Sequence, residues 1–199
     1  MSEVKAFNRW SVEGIAVVDE GLKNYITLEP KIVPKTGARY AGDRFHKSKI
    51  FIVERLINKL MQPGHKGKKH TRYSGYCGGK SQTTYDLVEK AFRLVEQKTK
   101  ENPIKVFVKA LENAAPREEI VTIEYGGARY PKAVECAPQR RIDIALRLFV
   151  QSSYQKAKDS KKKSYEYLAD EIIGAYNNSN SSSAIAKKME LERQADASR

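Results

Sequence analysis

Between Ile120 and Arg147 the chain changes its hydrophobic period, and that change restricts the fold more than any other stretch. The run IVTIEY, Ile120 to Tyr125, alternates as a half-buried strand does, and a second strand-like run extends from Tyr130 to Cys136. Gly126-Gly127 between them supplies the positive φ angles of a tight hairpin turn. After Pro138, Ile142, Ala145, Leu146 and Phe149 recur at helical spacing, with Ile144 and Leu148 as a second strip. Pro138 suits the first turn of that helix, where its missing N–H costs nothing. A β-ribbon therefore runs directly into a helix. Arg140 and Arg141 fall in the first turn, where the helix dipole disfavours each cation by a few tenths of a kcal/mol, at about 0.3 kcal/mol or more. A bound phosphate would reverse that sign. From these residues alone, two solvated arginines and a phosphate site are both consistent readings.

Five further segments carry helical periodicity. Ser48 to Met61 places Ile50, Val53, Ile57 and Leu60 on one stripe and stops at Pro63-Gly64. Thr83 to Lys98 opens with a Thr83-to-Asp86 capping box and buries Val88, Ala91, Phe92 and Val95. Asn102 and Pro103 read as N-cap and first residue of a helix through Ala114 that presents Phe107, Ala110 and Leu111. Tyr165, Leu168, Ala169, Ile172 and Tyr176 share one face of another helix. The last, about residues 181–196, has little apolar stripe beyond Ile185 and Met189, which suits either a mobile segment or a recognition helix. Residues 1–45 are nearly neutral, with two short candidate strands, Gly14 to Val18 and Tyr25 to Leu28, broken by Pro30, Pro34 and Gly37. The expected architecture is mainly α. It has an extended N-terminal arm (1–45) and a helical domain of about six helices (46–199), from which a β-hairpin (about 118–136) protrudes.

Charge points to the partner class. The formal net charge is +13, and residues 62–82 and 137–163 together hold +11 of it, so the positive charge is clustered. In the first cluster Lys66, Lys68, Lys69, Arg72 and Lys80 are interleaved with Tyr73, Tyr76 and glycines, a mixture in which cations reach phosphates and rings stack on unpaired bases. The alternative is a solvated surface loop that orders only on binding. Lys161, Lys162 and Lys163 form a run that reads either as a solvated turn or as an RNA contact.

Other chemistries fail on their own requirements. Gly79-Lys80-Ser81 resembles the end of a phosphate-binding loop, but Ser74 stands where the first glycine belongs and no buried strand precedes it. His65, His70 and Cys77 lie close in sequence without a Cys-x-x-Cys pair, so no metal or other cofactor is expected. No local signature joins His46, Cys77 or Cys136 into a nucleophile and base, and the inward helical positions are apolar, so an enzyme with a small-molecule substrate is not expected. Two cysteines and no signal-peptide pattern imply a reducing compartment, and no apolar run approaches the roughly 18 residues of a membrane span. A basic membrane-surface helix is disfavoured for want of a free apolar face. A helical DNA-binding regulator would need a helix-turn-helix and paired half-sites, which the ribbon and separated basic clusters do not suggest.

The order hairpin, Gly126-Gly127, Tyr130, Val134-Glu135, Pro138, Arg140-Arg141, Ala145 and Arg147 resembles the universal small-subunit ribosomal protein number seven family. Ala137 stands where the bacterial pattern has an arginine, and Leu148 where it has a tryptophan. The run Ser179 to Arg199 is similar to the archaeal and eukaryotic branch, and the resemblance covers about Phe45 to Arg199. It implies a structural protein, monomeric outside the ribosome, that binds the 3′ major (head) domain of small-subunit rRNA among other head proteins. On this reading Lys66, Lys68, Lys69, Arg72, Lys80, Arg140, Arg141, Arg147, Lys161, Lys162 and Lys163 contact rRNA. Gly126, Gly127 and Arg129 at the hairpin tip, with Lys187, Lys188 and Arg193 on the last helix, face exit-site tRNA and mRNA.

Overall fold

The computed structural model describes residues 4–66, 69–71, 74–158 and 160–199. Its elements, in chain order, are a short α1 (Glu20–Lys23), α2 (Ile52–Leu60), two-residue strands β1 (His65–Lys66) and β2 (Lys69–His70), α3 (Ser81–Thr99), α4 (Pro103–Ala114), β3 (Glu118–Tyr125), β4 (Ala128–Glu135), α5 (Pro138–Lys158), α6 (Ser164–Tyr176) and α7 (Ser183–Asp196). The fold is mainly α with one long hairpin. α6 packs on α3, α4 and α5, while α5 also touches α1, α2 and α7. Phe51, Phe92, Phe107 and Phe149 are fully buried among these helices, each contributing about 1.5–3 kcal/mol of transfer free energy.

Local chemistry sets the helix ends. Asn102 Oδ1 accepts the Ile104 N–H at 3.0 Å, and Pro103 opens α4 as expected. α3 begins at Ser81 rather than Thr83. Gly79, at φ 74°, turns the chain into the helix early, and Thr84 rather than Thr83 bonds back, donating to the Ser81 carbonyl at 2.9 Å. α2 begins at Ile52 rather than Ser48. Residues His46–Lys49 form a 3₁₀ turn, and Phe51 stays extended because it bridges Thr27, whose carbonyl accepts the Ile52 N–H at 3.1 Å.

β3 and β4 pair antiparallel from Glu118↔Glu135 to Tyr125↔Ala128, and Gly126 and Gly127 close the turn at φ 55° and 84°. Two successive positive φ angles are the requirement of a primed turn that matches strand twist. Residues 121–132 are exposed throughout, so the hairpin projects from the body.

The N-terminal segment has little regular structure, and neither expected strand forms; Thr27 makes a single parallel bridge with Phe51. It is laid along the helices rather than standing free. Ala6, Phe7, Trp10, Val12, Leu22 and Ile26 belong to the core, and Phe7 and Trp10 meet Phe92 edge-on at 6.2 and 6.0 Å. Glu112 Oε1 accepts the N–H groups of Val18 and Asp19 at 2.6 and 3.2 Å, and Asn102 donates to the Ser11 carbonyl at 2.6 Å.

α7 is docked despite its polar composition. Ala184, Ile185 and Ala195 are buried, whereas Met189, expected on the same stripe, is 52% exposed. Buried Glu171 of α6 binds its start, accepting from Ser182 Oγ at 2.9 Å, the Ser183 N–H at 3.1 Å and Lys156 Nζ of α5 at 2.5 Å. Glu192 accepts the Arg117 N–H at 3.0 Å and holds α7 at the hairpin base.

Candidate nucleic-acid interface

Arg140 and Arg147 lie seven residues apart on α5, two turns along one helix face, and both are exposed. With Lys66 of β1 and Lys187 of α7 they line an open cleft of about 290 Å³, walled also by Glu119, Ile144 and Gln151. Gln151 donates to the His65 carbonyl at 2.7 Å and so fastens β1 at the rim. Glu119 grips Arg140 with both oxygens, at 2.5 Å from Nε and 2.6 Å from one terminal nitrogen. That hydrogen-bonded pairing holds the guanidinium pKa above its ordinary value. Its remaining N–H groups stay oriented for a phosphate.

Arg147 also borders a second cleft, of about 330 Å³, lined by His46, Lys47, Arg55, Asn58, Lys59, Gln62 and Asp143. Asp143 accepts from Lys47 Nζ at 2.7 Å and from Arg55 at 3.0 Å. Burial pushes its carboxyl pKa up, but the Lys47 hydrogen bond and the Arg55 charge outweigh burial and leave it below the ordinary value. Burial, then the neighbouring Arg147 charge, hold Lys59 below the usual ammonium range. Among the described residues neither Lys59 nor Arg147 has an ion-pair partner. Cations that outnumber the single carboxylate of a cleft suit a polyanion.

Lys47 and Lys59 were not in the sequence-derived set. Lys59 sits off the apolar stripe of α2, which marks it as surface but gives no hint that α5 lies across from it.

Two expected contacts turn inward. Arg141 is 9% exposed; its guanidinium donates to Asp19 Oδ2 at 2.7 Å and to the Pro116 carbonyl at 3.2 Å. Residue 141 shares its helix face with Ala145 and Phe149, so it points to the core while Arg140 points out. Lys188 likewise turns away from Lys187, giving Nζ to the Asn113 carbonyl at 2.8 Å, and burial lowers its pKa. Arg141 is thereby engaged within the protein, while Lys188 is half-buried with its ammonium on a backbone carbonyl.

The remaining expected residues are dispersed. Lys80 is exposed at the start of α3, and Lys161, Lys162 and Lys163 are exposed before α6, with Lys162 Nζ 5.9 Å above the Tyr167 ring. None of these lines either cleft. Lys68 and Arg72 lie outside the described residues, and Lys69 is described only through its strand pairing with Lys66. At the hairpin tip Arg129 is paired with Glu124 at 3.5 Å beside Tyr125, which is 81% exposed. Arg193 is exposed on α7. His65 and His70 face each other, Nδ1 to Nδ1, at 2.8 Å, and no cluster of three or more His, Cys, Asp or Glu side chains fit to hold a metal occurs among the described residues.

Residues 22–199 match the family model of ribosomal protein S7p/S5e. The chain is 50% identical to the small ribosomal subunit protein uS7 of Nanoarchaeum equitans over 99% of its own length and 100% of that protein. It is 45% identical to the uS7 of Archaeoglobus fulgidus (99% and 96% covered) and 43% identical to that of Methanothrix thermoacetophila (98% and 100%). A family-model match over residues 22–199, with relatives identical at 43–50% over nearly the whole chain, places the protein in the ribosomal protein S7p/S5e family.

Proposed function

We propose that this protein is a structural component of the small ribosomal subunit, in the cytoplasm, that binds the 3′ major (head) domain of small-subunit rRNA and promotes folding of the head. The observation that carries this reading is the convergence of Lys66, Arg140, Arg147 and Lys187, from β1, α5 and α7, on one cleft, with Lys47 and Lys59 continuing the basic surface beyond Arg147. Phosphates of a folded RNA present anions at several angles, and cations from separate elements meet them only when the tertiary fold is intact. With about five such contacts, affinity would fall with salt at a logarithmic slope of roughly 4.

The projecting hairpin and α7 would face exit-site tRNA and the mRNA path, with Tyr125, Tyr130 and Arg129 exposed at the ribbon's end. Other head proteins are its protein neighbours, and it is monomeric before assembly. The relatives named as small-subunit proteins support the assignment. The test is chemical footprinting on whole small-subunit rRNA with equal-length duplex DNA as competitor. Protection confined to the head domain and resistant to DNA is expected. Diffuse protection that DNA abolishes would overturn the reading in favour of non-specific charge or a DNA-binding role.

A further inference from the structure

The cleft bordered by Lys59 and Arg147 shares His46, Ile50 and Asn58 with a second cavity of about 360 Å³. The character changes across that shared wall. On one side stand cations around Asp143; on the other are Ala38, Ala41, Met61 and the Tyr40 ring, with Glu54 as the carboxylate and Lys35 as a cation. A mostly apolar cavity of this size with a few convergent polar groups is the usual form of a small-ligand site, for which roughly 300–1,000 Å³ is typical.

Glu54 is 3% exposed. Its Oε1 accepts from both the N–H and the hydroxyl of Thr36 at 2.7 Å, which uses that oxygen fully. Its Oε2 has no hydrogen-bond partner among the described residues. A buried carboxylate oxygen is costly to leave unpaired, so once the cavity wall opens to expose this one, an arriving N–H donor gains more there than it would in water.

An anion-binding cleft joined to an apolar cavity that lacks one donor has the two chemical halves of a nucleotide. We propose that one unpaired guanosine of the bound RNA is held here, its base entering the Glu54 cavity and its phosphate lying between Lys59 and Arg147. Guanine fits because N1–H and N2–H₂ are adjacent donors for Oε2, flanked by O6 for the Asn58 amide. Adenine and cytosine carry a ring-nitrogen acceptor beside their amino group, which the carboxylate repels, and uracil offers one donor between two acceptors. Lys35 lines the cavity and adds positive charge there, while Lys31 and Lys49, 6.0 and 5.9 Å from the Tyr40 ring, are already paired with Glu29 and Asp43. The proposal rests on the RNA-binding reading above and adds a base-specific contact to it.

The test uses the full-length protein on whole small-subunit rRNA, probed with a reagent that modifies the Watson–Crick edge of guanine, such as kethoxal. The wild type protects one guanine that is reactive in free rRNA. Glu54→Gln keeps the Thr36 contact but replaces Oε2 with a donor, so that guanine regains reactivity while the remaining footprint persists. Affinity falls about five- to tenfold although a negative charge has been removed, a sign that pure electrostatics would reverse. Should Glu54→Gln unfold, Ala41→Phe, which fills the cavity from its exposed rim, gives the same single-guanine signal. An unchanged guanine pattern and affinity in the folded variants overturns the pocket while leaving rRNA binding in place. A wild type with no head-domain footprint overturns both readings together.

Discussion

Glu119 on β3 and Arg140 on α5 form a two-point ion pair, 2.5 and 2.6 Å, that ties the root of the hairpin to the helix lining the basic cleft. The Arg140 side chain remains 54% exposed, so the pair is solvent-screened and stabilises the fold by no more than about 1 kcal/mol. Its main effect is to aim the guanidinium. Arg140→Ala is expected to lower RNA affinity about tenfold and leave the unfolding midpoint nearly unchanged. Arg140→Lys should recover less than half of that loss, because an ammonium cannot hold Glu119 and a phosphate in one plane. Filter binding beside thermal unfolding decides it.

Arg141→Ala should do the reverse. It strands Asp19 and the Pro116 carbonyl behind a cavity and releases the N-terminal segment, at a cost of about 2–3 kcal/mol, reduced from the fully buried case because Asp19 is partly exposed. RNA affinity per folded molecule should be unchanged. Urea titration measures the first effect, and binding well below the midpoint the second.

The paired carboxylates set the acid limb of stability. Burial raises the pKa of Asp19 and of Asp143, but Arg141 for the first and Lys47 with Arg55 for the second more than offset it, so both folded-state values lie below the unfolded value of about 3.9. The unfolded chain then binds protons first. Stability from these pairs is complete above about pH 5 and is lost as pH falls through the depressed folded values. Asp143→Asn should flatten that limb, and a variant that steepens it would contradict the assignment. Chemical denaturation between pH 3 and 6 reads the slope.

Gly126 and Gly127 occupy φ 55° and 84° at the end of an exposed ribbon. Replacing both with alanine imposes roughly 1–2 kcal/mol of strain per residue, felt in the hairpin alone. Amide exchange should accelerate across residues 121–132 while global unfolding shifts by less than a degree or two, since those residues bury almost nothing.

Lys187 and Lys188 offer the sharpest contrast between neighbours. Lys187→Ala is expected to weaken RNA binding about three- to fivefold with no loss of stability, because the side chain lines the cleft. Lys188→Ala removes a donor to the Asn113 carbonyl and should loosen α7, costing about 1 kcal/mol. Limited proteolysis near residues 177–183 reports the second effect.

The helices and the ribbon were legible because each buries one face and therefore writes its period into the chain. The inward turn of two basic residues was legible too, on a stricter reading of the same period. Arg141 stands four and eight residues before Ala145 and Phe149, and Lys188 stands four after Ala184 and seven before Ala195, so each lies on a buried stripe despite its charge. The juxtaposition of Lys59 with Arg147 was not legible: the two are 147 − 59 = 88 residues apart, and only packing of α2 on α5 brings them together. The displaced start of α2 had the same origin, since the Thr27 bridge that holds Phe51 extended is a contact at a distance.

The N-terminal segment has its partners far along the chain. Phe7 waits for Phe92, Val18 for Glu112 94 residues on, and Asp19 for Arg141 122 residues on. Synthesis runs from the N-terminus, so Trp10 and Phe7 leave the polypeptide tunnel well before the helices that enclose them exist. Fewer than 141 residues cannot complete the clasp. The growing chain must carry an uncovered aromatic end until α3 emerges and an unclasped Asp19 until α5 does, and the basic double cleft is complete only when α7 brings Lys187 to it.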